Sequence, residues 1–223
     1  MTQDLLSVIE LQTGDTPDAA VIWLHGLGAD GNDFVPVAQQ LNLPAALAVR
    51  FVFPNAPIQA VTINAGMPMP AWYDIVTLGE RSADDEAGIR KSADAIARLV
   101  ARERERGVAS ERVVIAGFSQ GGAIALHAGL RYPDRLAGIM ALSTYLPLQE
   151  KLEAERSDAN HSTPIFMAHG TVDPTVLFEW GAASRDLLRE LGYRVEWHEY
   201  MMEHAVNPQE IVDIRKWLLG VLG

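Results

Sequence analysis

The chain contains no cysteine among its 223 residues. This absence excludes disulfide bonds, metal sites built from thiolates and a cysteine nucleophile. It does not fix the cellular compartment, because proteins of every compartment can lack cysteine. If the chain performs covalent catalysis, the nucleophile has to be another type of side chain.

Basic residues are also scarce: 18 Lys and Arg stand against 29 Asp and Glu, which gives a formal net charge of -11. Such a charge disfavours nucleic acid and anionic membrane surfaces as partners. No apolar run approaches the roughly 18 residues of a membrane-spanning helix. The first segment, MTQDLLSVIELQTGD, has neither a basic start nor a long apolar centre, so we expect no signal peptide. We therefore expect a cytoplasmic protein without stable membrane association, and a homodimer is left open.

The composition, with 48% hydrophobic and 21% charged residues, is that of an ordinary globular protein. A chain of this length is ample for one core, so we expect a single domain over residues 1–223. Short runs rich in Val, Ile and Phe predict buried strands. These predicted strands cover residues 20–25, 50–53, 113–118, 137–142, 165–169 and 193–200.

Apolar residues at helical spacing separate these strands. The predicted helices cover residues 33–41, 82–106, 120–130, 178–191 and 208–219. Strands that alternate with helices predict an α/β fold with a mostly parallel central sheet flanked by helices. In such folds ligands bind beyond the carboxyl ends of the strands, so the loops at that edge should carry the function.

Residues 54–73 fit neither pattern. The segment PNAPIQAVTINAGMPMPAWY contains four prolines and no acidic residue. Two interpretations remain open. It is either a long packed surface loop, or a flap or short hairpin that covers the functional site.

The segment GFSQG, residues 117–121, matches the pattern G-x-S-x-G. The pattern alone is weak, but here it follows a predicted strand and directly precedes a predicted helix. A turn this sharp forces the serine into a strained backbone conformation, and the flanking glycines avoid clashes. The context predicts Ser119 as a nucleophile raised above the sheet edge. The alternative is a tight turn with an incidental serine.

A serine hydroxyl needs a base to remove its proton, and the base needs an orienting carboxylate. In this arrangement the acid and the histidine follow the serine in that order, each beyond a strand end. Asp173 follows the strand at 165–169, and His204 follows the strand at 193–200. We therefore predict Ser119, Asp173 and His204 as the catalytic residues, on one edge of the sheet.

Five other histidines compete with His204 for the role of base. They lie inside or at the end of predicted strands, in a helix, in a linker or beside a glycine-rich loop: His198, His169, His127, His161 and His25. His198 and His204 are six positions apart, whereas two metal ligands on one helical face are four apart in H-E-x-x-H. We expect no metal.

The stretch HGLGADG, residues 25–31, allows two interpretations. Gly26, Gly28 and Gly31 fit the G-x-G-x-x-G turn that binds dinucleotides. That turn requires an acidic residue about 20 residues later, and no Asp or Glu occurs in residues 34–73. The second interpretation is a loop whose backbone N–H groups bind a negatively charged oxygen. It makes the N–H groups of Leu27 and Gln120 the two donors, and no cofactor is expected.

Several motifs together resemble one family. They are HGLGADGNDF, FPNAP, WYDI, GFSQGG, HGTVDPTV and YMMEHAV, and they extend over roughly residues 20–219. In these motifs the chain resembles the carboxylesterase and acyl-protein thioesterase family, also called the phospholipase/carboxylesterase family, of small α/β-hydrolases. The resemblance implies the α/β-hydrolase fold without a large cap domain and the triad Ser119, Asp173 and His204.

The resemblance also implies that the loop through Trp72 forms a wall of the acyl site. Val176 and Leu177 are expected in the same wall, where the family commonly has V-V-P after the triad aspartate. A second departure is Ser143-Thr144, where the family often has Ser-Gly. Both departures concern the pocket walls, so they affect the range of substrates more than the chemistry.

The expected activity is that of a serine carboxylesterase that hydrolyses short- to medium-chain acyl esters through an acyl-enzyme intermediate. The alternatives within the family are an acyl-protein thioesterase and a lysophospholipase. From other classes, a non-catalytic binding module is disfavoured by the complete set of Ser, Asp and His, and a dinucleotide oxidoreductase by the missing acidic residue.

Overall fold

The computed structural model describes residues 5–77 and 84–223, and a seven-stranded sheet forms its frame. The sheet contains β1 (Val8–Gln12), β2 (Ala19–Leu24), β3 (Val49–Pro54), β6 (Val113–Phe118), β7 (Gly138–Leu142), β8 (Ile165–Gly170) and β9 (Val195–Tyr200). The strand order is β1-β3-β2-β6-β7-β8-β9, and all neighbours are parallel except β1 and β3. The predicted mostly parallel sheet is confirmed.

The order of strands reverses between β2 and β6. From β2 the chain moves outward to β3, then returns to place β6 on the other side of β2. The loops that follow β2 and β6 therefore diverge and leave a crevice at the carboxyl edge of the sheet. The predicted nucleophile follows β6 and the predicted oxyanion loop follows β2.

Helices cover both faces of the sheet. They are α1 (Val35–Gln40), α2 (Glu86–Glu105), α3 (Gln120–Arg131), α4 (Leu152–Glu155), α5 (Phe178–Glu190) and α6 (Pro208–Leu222). Side chains of β2 alternate between the two faces, as the strand period of two requires. Val21 and Trp23 pack in the core on the side of α1 and α6, whereas Ile22 and Leu24 pack in the core on the side of α2 and α3.

Residues 54–73 form a hairpin outside the main sheet. Its strands are β4 (Ile58–Val61) and β5 (Met67–Pro70), which pair antiparallel. Ala65 and Gly66 connect them at φ of 56° and 73°, so the turn requires the left-handed region that glycine adopts freely. Of the two interpretations of this segment, the structure shows the short hairpin. No helix in the described ranges is long and apolar enough to cross a bilayer.

Two differences from the predicted elements have physical causes. The strand β1 was not predicted, because it is an antiparallel edge strand whose exposed residues dilute its apolar pattern. The predicted start of a helix at Ser82 lies outside the described residues. In the described part α2 begins at Glu86, because the Asp85 side chain accepts a hydrogen bond from the N–H of Gly88 and caps the helix.

Candidate active site

Ser119 sits in the sharp turn between β6 and α3, at φ 56° and ψ -122°. A Cβ atom at position 117 would lie 2.2 Å from the carbonyl oxygen of Gly121, and one at position 121 would lie 2.5 Å from that of His25. These carbonyl groups cannot move aside to make room for a Cβ atom, because both belong to the backbone. Both glycines are therefore required for the backbone to pass through this turn.

The backbone of Ser119 is tied to the adjacent strand and its loop. Its N–H donates to the carbonyl oxygen of Leu142 at 2.8 Å, and its carbonyl oxygen accepts from the hydroxyl of Thr144 at 2.7 Å. These bonds hold the strained residue from both sides. Thr144, which departs from the family's usual glycine, thus contributes a hydrogen bond that glycine cannot make.

The structure brings Ser119, His204 and Asp173 into one hydrogen-bonded chain. The Nε2 atom of His204 lies 2.9 Å from the Ser119 Oγ, and its Nδ1 atom lies 2.6 Å from the Asp173 Oδ2. A carboxylate only accepts, so Nδ1 carries the proton and Nε2 is left to accept from the serine hydroxyl. This is the tautomer that a general base for Ser119 needs.

Asp173 is buried, with its side chain fully shielded from solvent. Its Oδ1 accepts from the N–H groups of Thr175 and Val176 at 2.8 and 3.0 Å. These two donors compensate the buried carboxylate and fix its orientation. The other oxygen, Oδ2, is left to face His204.

His169 contacts the turn that contains Asp173 and Val176, a role that was not predicted from the sequence. Its Nε2 atom lies 2.8 Å from the carbonyl oxygen of Val176 and 3.6 Å from the Asp173 Oδ2. Burial lowers the pKa of His169, so the ring is neutral and donates its proton to Val176. The signal available in the sequence was its position at the end of β8, four residues before Asp173.

The two predicted oxyanion donors flank the crevice. The first hydrogen bond of α3 runs from the N–H of Ala123 to the carbonyl oxygen of Ser119, so the N–H of Gln120 belongs to the first turn and has no acceptor within the helix. In the loop after β2, the N–H of Gly28 donates to Pro70 at 2.9 Å. Among the described residues, no backbone acceptor is bonded to the N–H of Leu27.

A cleft of about 230 Å³ opens beside Ser119. Leu27, Gln120 and Val176, all of which the sequence assigned to the site, line it. The remaining lining residues come from the hairpin, the segment after it, the loops after β7 and β8, and α5: Ile63, Asn64, Tyr73, Ile75, Thr77, Asp84, Tyr145, Thr175 and Trp180. Most of the lining is apolar, which suits a hydrocarbon chain.

Trp72 and Leu177 do not line the cleft, which corrects the expectation drawn from the resemblance. The side chain of Trp72 is buried and its indole N–H donates to the carbonyl oxygen of His25 at 2.9 Å. An indole N–H needs such a partner when it is buried, and this bond turns the ring away from the cleft. Leu177 directly precedes α5 and is 43% exposed to solvent.

Two tyrosines in the cleft were missed by the sequence reasoning. The hydroxyl groups of Tyr73 and Tyr145 are 3.0 Å apart. Burial raises the pKa of Tyr73 well above its ordinary value, so its hydroxyl stays protonated and shares a hydrogen bond with that of Tyr145. Tyr73 was within reach of prediction, because it directly follows Trp72 in the WYDI motif. Nothing in the sequence singled out Tyr145.

A profile of the phospholipase/carboxylesterase family matches residues 7–221. The chain belongs to this family. Among its relatives, acyl-protein thioesterase 1 of Mycosarcoma maydis is 44% identical over 230 residues, which cover 96% of each protein. Acyl-protein thioesterase 1 of Yarrowia lipolytica is 40% identical over 205 residues, or 90% of each.

Solved structures of the family agree with the fold. The crystal structure of acyl-protein thioesterase 2 from Zea mays superposes with a TM-score of 0.87 at 29% sequence identity, and the match covers 97% of this chain and 99% of that one. The predicted family and the predicted α/β-hydrolase fold are confirmed. As a member of the phospholipase/carboxylesterase family, the chain is an enzyme that hydrolyses acyl esters or thioesters.

A metal or a cofactor was not expected for this family member. In the ranges 5–77 and 84–223, no three His, Asp or Glu side chains are close enough together to hold a metal ion. Of the histidines near the site, His25 has both ring nitrogens occupied: Nδ1 donates to Gly26 at 2.7 Å, and Nε2 accepts from the N–H of Ala56 at 3.1 Å. His25 therefore makes one local hydrogen bond within the oxyanion loop, to Gly26, and one to Ala56, which is 31 positions away in the sequence.

Proposed function

We propose that the chain is a serine thioesterase that removes acyl groups from protein thiols and also hydrolyses acyl esters. The observation that carries the proposal is the chain of hydrogen bonds from Ser119 through His204 to Asp173 at the mouth of an apolar cleft. The names of the relatives, acyl-protein thioesterases at up to 44% identity, support the thioester as substrate. They favour this alternative over the short-chain carboxylesterase that the sequence reasoning placed first.

In the proposed mechanism, His204 Nε2 accepts the proton of the Ser119 hydroxyl while Oγ forms a bond to the acyl carbon. The carbonyl oxygen becomes an oxyanion and accepts from the N–H groups of Leu27 and Gln120. The carbon–sulfur bond then breaks, and His204 gives its proton to the leaving sulfur. Water then gives a proton to His204 Nε2 while its oxygen attacks the acyl carbon of the Ser119 ester. The bond from that carbon to Oγ breaks, His204 returns the proton to Oγ, and the fatty acid leaves.

The charges around the cleft support a leaving group that is neutral or basic. In the described part of the loops at the carboxyl edge of the sheet, residues 25–34, 54–77, 118–120, 143–148, 170–177 and 201–207, there is no Lys or Arg; Arg81, between the lining residues Thr77 and Asp84, lies outside the described residues. They contain acidic residues, of which Asp30, Asp33 and Glu203 are exposed. An anionic phosphate close to the scissile bond meets like charge and no cation in these loops, which disfavours a lysophospholipid.

The test compares matched substrates on the purified protein. Three substrates would be assayed: an acyl thioester of a basic peptide, an acyl thioester of the same peptide with acidic residues, and lysophosphatidylcholine, which is an oxygen ester. Each would carry acyl chains from acetyl to palmitoyl. We expect the basic peptide thioester to give the highest kcat/KM, and the acidic one a lower value whose deficit shrinks at high salt. Ser119→Ala should abolish turnover with all of them.

Chain length gives a second readout of the same assay. Each methylene that contacts the cleft adds about 0.8 kcal/mol of binding, or about fourfold in kcat/KM, until the chain leaves the apolar walls. The value should therefore rise over the first carbons and then level off. Efficient hydrolysis of acetyl esters with no thioester turnover would favour the short-chain carboxylesterase over the thioesterase. Preferred hydrolysis of the lysophospholipid would contradict the proposal. Cytoplasmic location and a homodimer stay predictions of the sequence.

A further inference from the structure

The hairpin of β4 and β5 forms one wall of the cleft through Ile63 and Asn64, between its two strands. It pairs only with itself and contributes no strand to the main sheet. Its position relative to Ser119 therefore depends on how its two feet, residues 54–57 and 71–73, are attached to the rest of the molecule. Both feet are attached to segments that also carry the oxyanion donors.

The first attachment is His25, which lies two residues before Leu27. Its ring Nε2 accepts from the N–H of Ala56 in the first foot, at 3.1 Å. Its carbonyl oxygen accepts from the indole of Trp72 in the second foot, at 2.9 Å. One residue of the oxyanion loop thus holds both feet of the hairpin.

The second attachment is the side chain of Gln120, which is buried. Its Oε1 accepts from the N–H of Trp72 at 2.8 Å, and its Nε2 donates to the carbonyl oxygen of Tyr73 at 2.7 Å. The amide therefore bonds the backbone of two successive residues of the second foot. The same residue presents its backbone N–H to the proposed oxyanion site.

We propose that the Gln120 side chain is a positioning residue that couples the hairpin to the oxyanion site. The inference rests on the proposed function, since it assigns a second role to a residue of the proposed site. A change in the hairpin moves the backbone of Trp72 and Tyr73, and the amide of Gln120 transmits that change to the N–H at position 120. Conversely, an oxyanion held at this N–H stabilises the hairpin over the acyl chain.

The test uses Gln120→Met, which keeps the length of the side chain and removes both hydrogen bonds. The control is Asn160→Leu. Asn160 is also a buried amide that bonds loop backbone, at Leu136, Tyr132 and Asp134, but it lies at the opposite edge of the sheet. Both substitutions leave buried peptide groups without partners, so both should lower the melting temperature.

Hydrogen exchange measured by mass spectrometry gives a readout that needs no turnover. In Gln120→Met, residues 54–73 should exchange faster than in the wild type, and in Asn160→Leu they should not. In the reaction with a long-chain alkyl fluorophosphonate, the Ser119 Oγ displaces fluoride, and the polarised phosphoryl oxygen of the product occupies the proposed oxyanion site. In the wild type the label should slow exchange across residues 54–73, and in Gln120→Met it should do so much less.

Kinetics complete the test. Loss of one oxyanion donor typically costs about 10²–10³ in kcat, so a displaced donor in Gln120→Met should cost about 10–100-fold with KM for an acetyl substrate nearly unchanged. The gain per methylene should also shrink, because the hairpin wall is loosened. Unchanged exchange in residues 54–73, or wild-type kcat in Gln120→Met, would overturn the coupling. A wild type that does not react with the fluorophosphonate would instead refute the serine mechanism. Hydrogen exchange in the unlabelled variants would still test whether Gln120 holds the hairpin.

Discussion

The strained backbone of Ser119 predicts that the inactive variant Ser119→Gly is more stable than the inactive variant Ser119→Ala. The residue has φ 56° and ψ -122°, a conformation that glycine adopts without strain and other residues rarely adopt. Ser119→Gly and Ser119→Ala both remove the hydroxyl and its hydrogen bond to His204. Only the glycine variant also removes the Cβ atom that makes this backbone unfavourable. The difference between the two variants therefore isolates the strain.

The expected difference follows from two opposing effects. Strain at such a residue costs about 1–3 kcal/mol, and glycine gives back about 0.5–1 kcal/mol because its unfolded chain is freer. Ser119→Gly should thus be more stable than Ser119→Ala by about 0.5–2 kcal/mol. For a domain of this size, 1 kcal/mol corresponds to about 2–4 °C, so the melting temperatures should differ by about 1–8 °C.

Calorimetry of the two purified variants measures this difference, with urea unfolding as a second determination. Both variants should be inactive, since loss of a triad nucleophile costs about 10⁶ in rate. A glycine variant that melts at or below the temperature of the alanine variant would refute the argument. It would mean that the turn is fixed by Gly117 and Gly121 without strain at Ser119 itself.

Two further predictions concern carboxyl groups. Asp173→Asn should lower kcat by about 10⁴ with little change in KM. The asparagine oxygen still accepts from the N–H groups of Thr175 and Val176, so its NH₂ group faces His204 and forces the wrong tautomer. Steady-state kinetics measure this effect, and a near-normal kcat would contradict it. Burial raises the pKa of Glu210 to about 8, against the opposing effect of a hydrogen bond from the backbone of Asn207. The fold thus keeps a proton that the unfolded chain releases near 4.5, so stability should fall between these pH values by up to about 1.4 kcal/mol per pH unit. Urea unfolding of Glu210→Gln should lack this slope and exceed the wild type at pH 9; parallel pH curves would disprove it.

The parallel strands of the sheet and the three proposed triad residues could be predicted from the sequence because each depends on local patterns. Parallel strands give continuous apolar runs, and side chains that follow them must meet at one edge. Ser119, Asp173 and His204 each follow such a run directly. No knowledge of distant contacts was needed for them.

The pocket walls could not be inferred in the same way. Trp72 was placed in the wall because of the resemblance to the family, but its indole N–H requires an acceptor, and His25 supplies one 47 positions away in the sequence. The hydrogen bonds from the Gln120 side chain to the backbone of residues 72–73 likewise join distant segments. Such partners depend on tertiary packing, which the spacing of residues does not encode.

The loops without Lys or Arg have a practical consequence for handling the enzyme. Its three lysines are Lys91, Lys151 and Lys216, and none of them lines the cleft. Chemistry directed at lysine amines will therefore attach the protein to a solid support through helix and linker surfaces. The bound protein will keep every residue that lines the cleft unmodified, without a tag or an engineered attachment site.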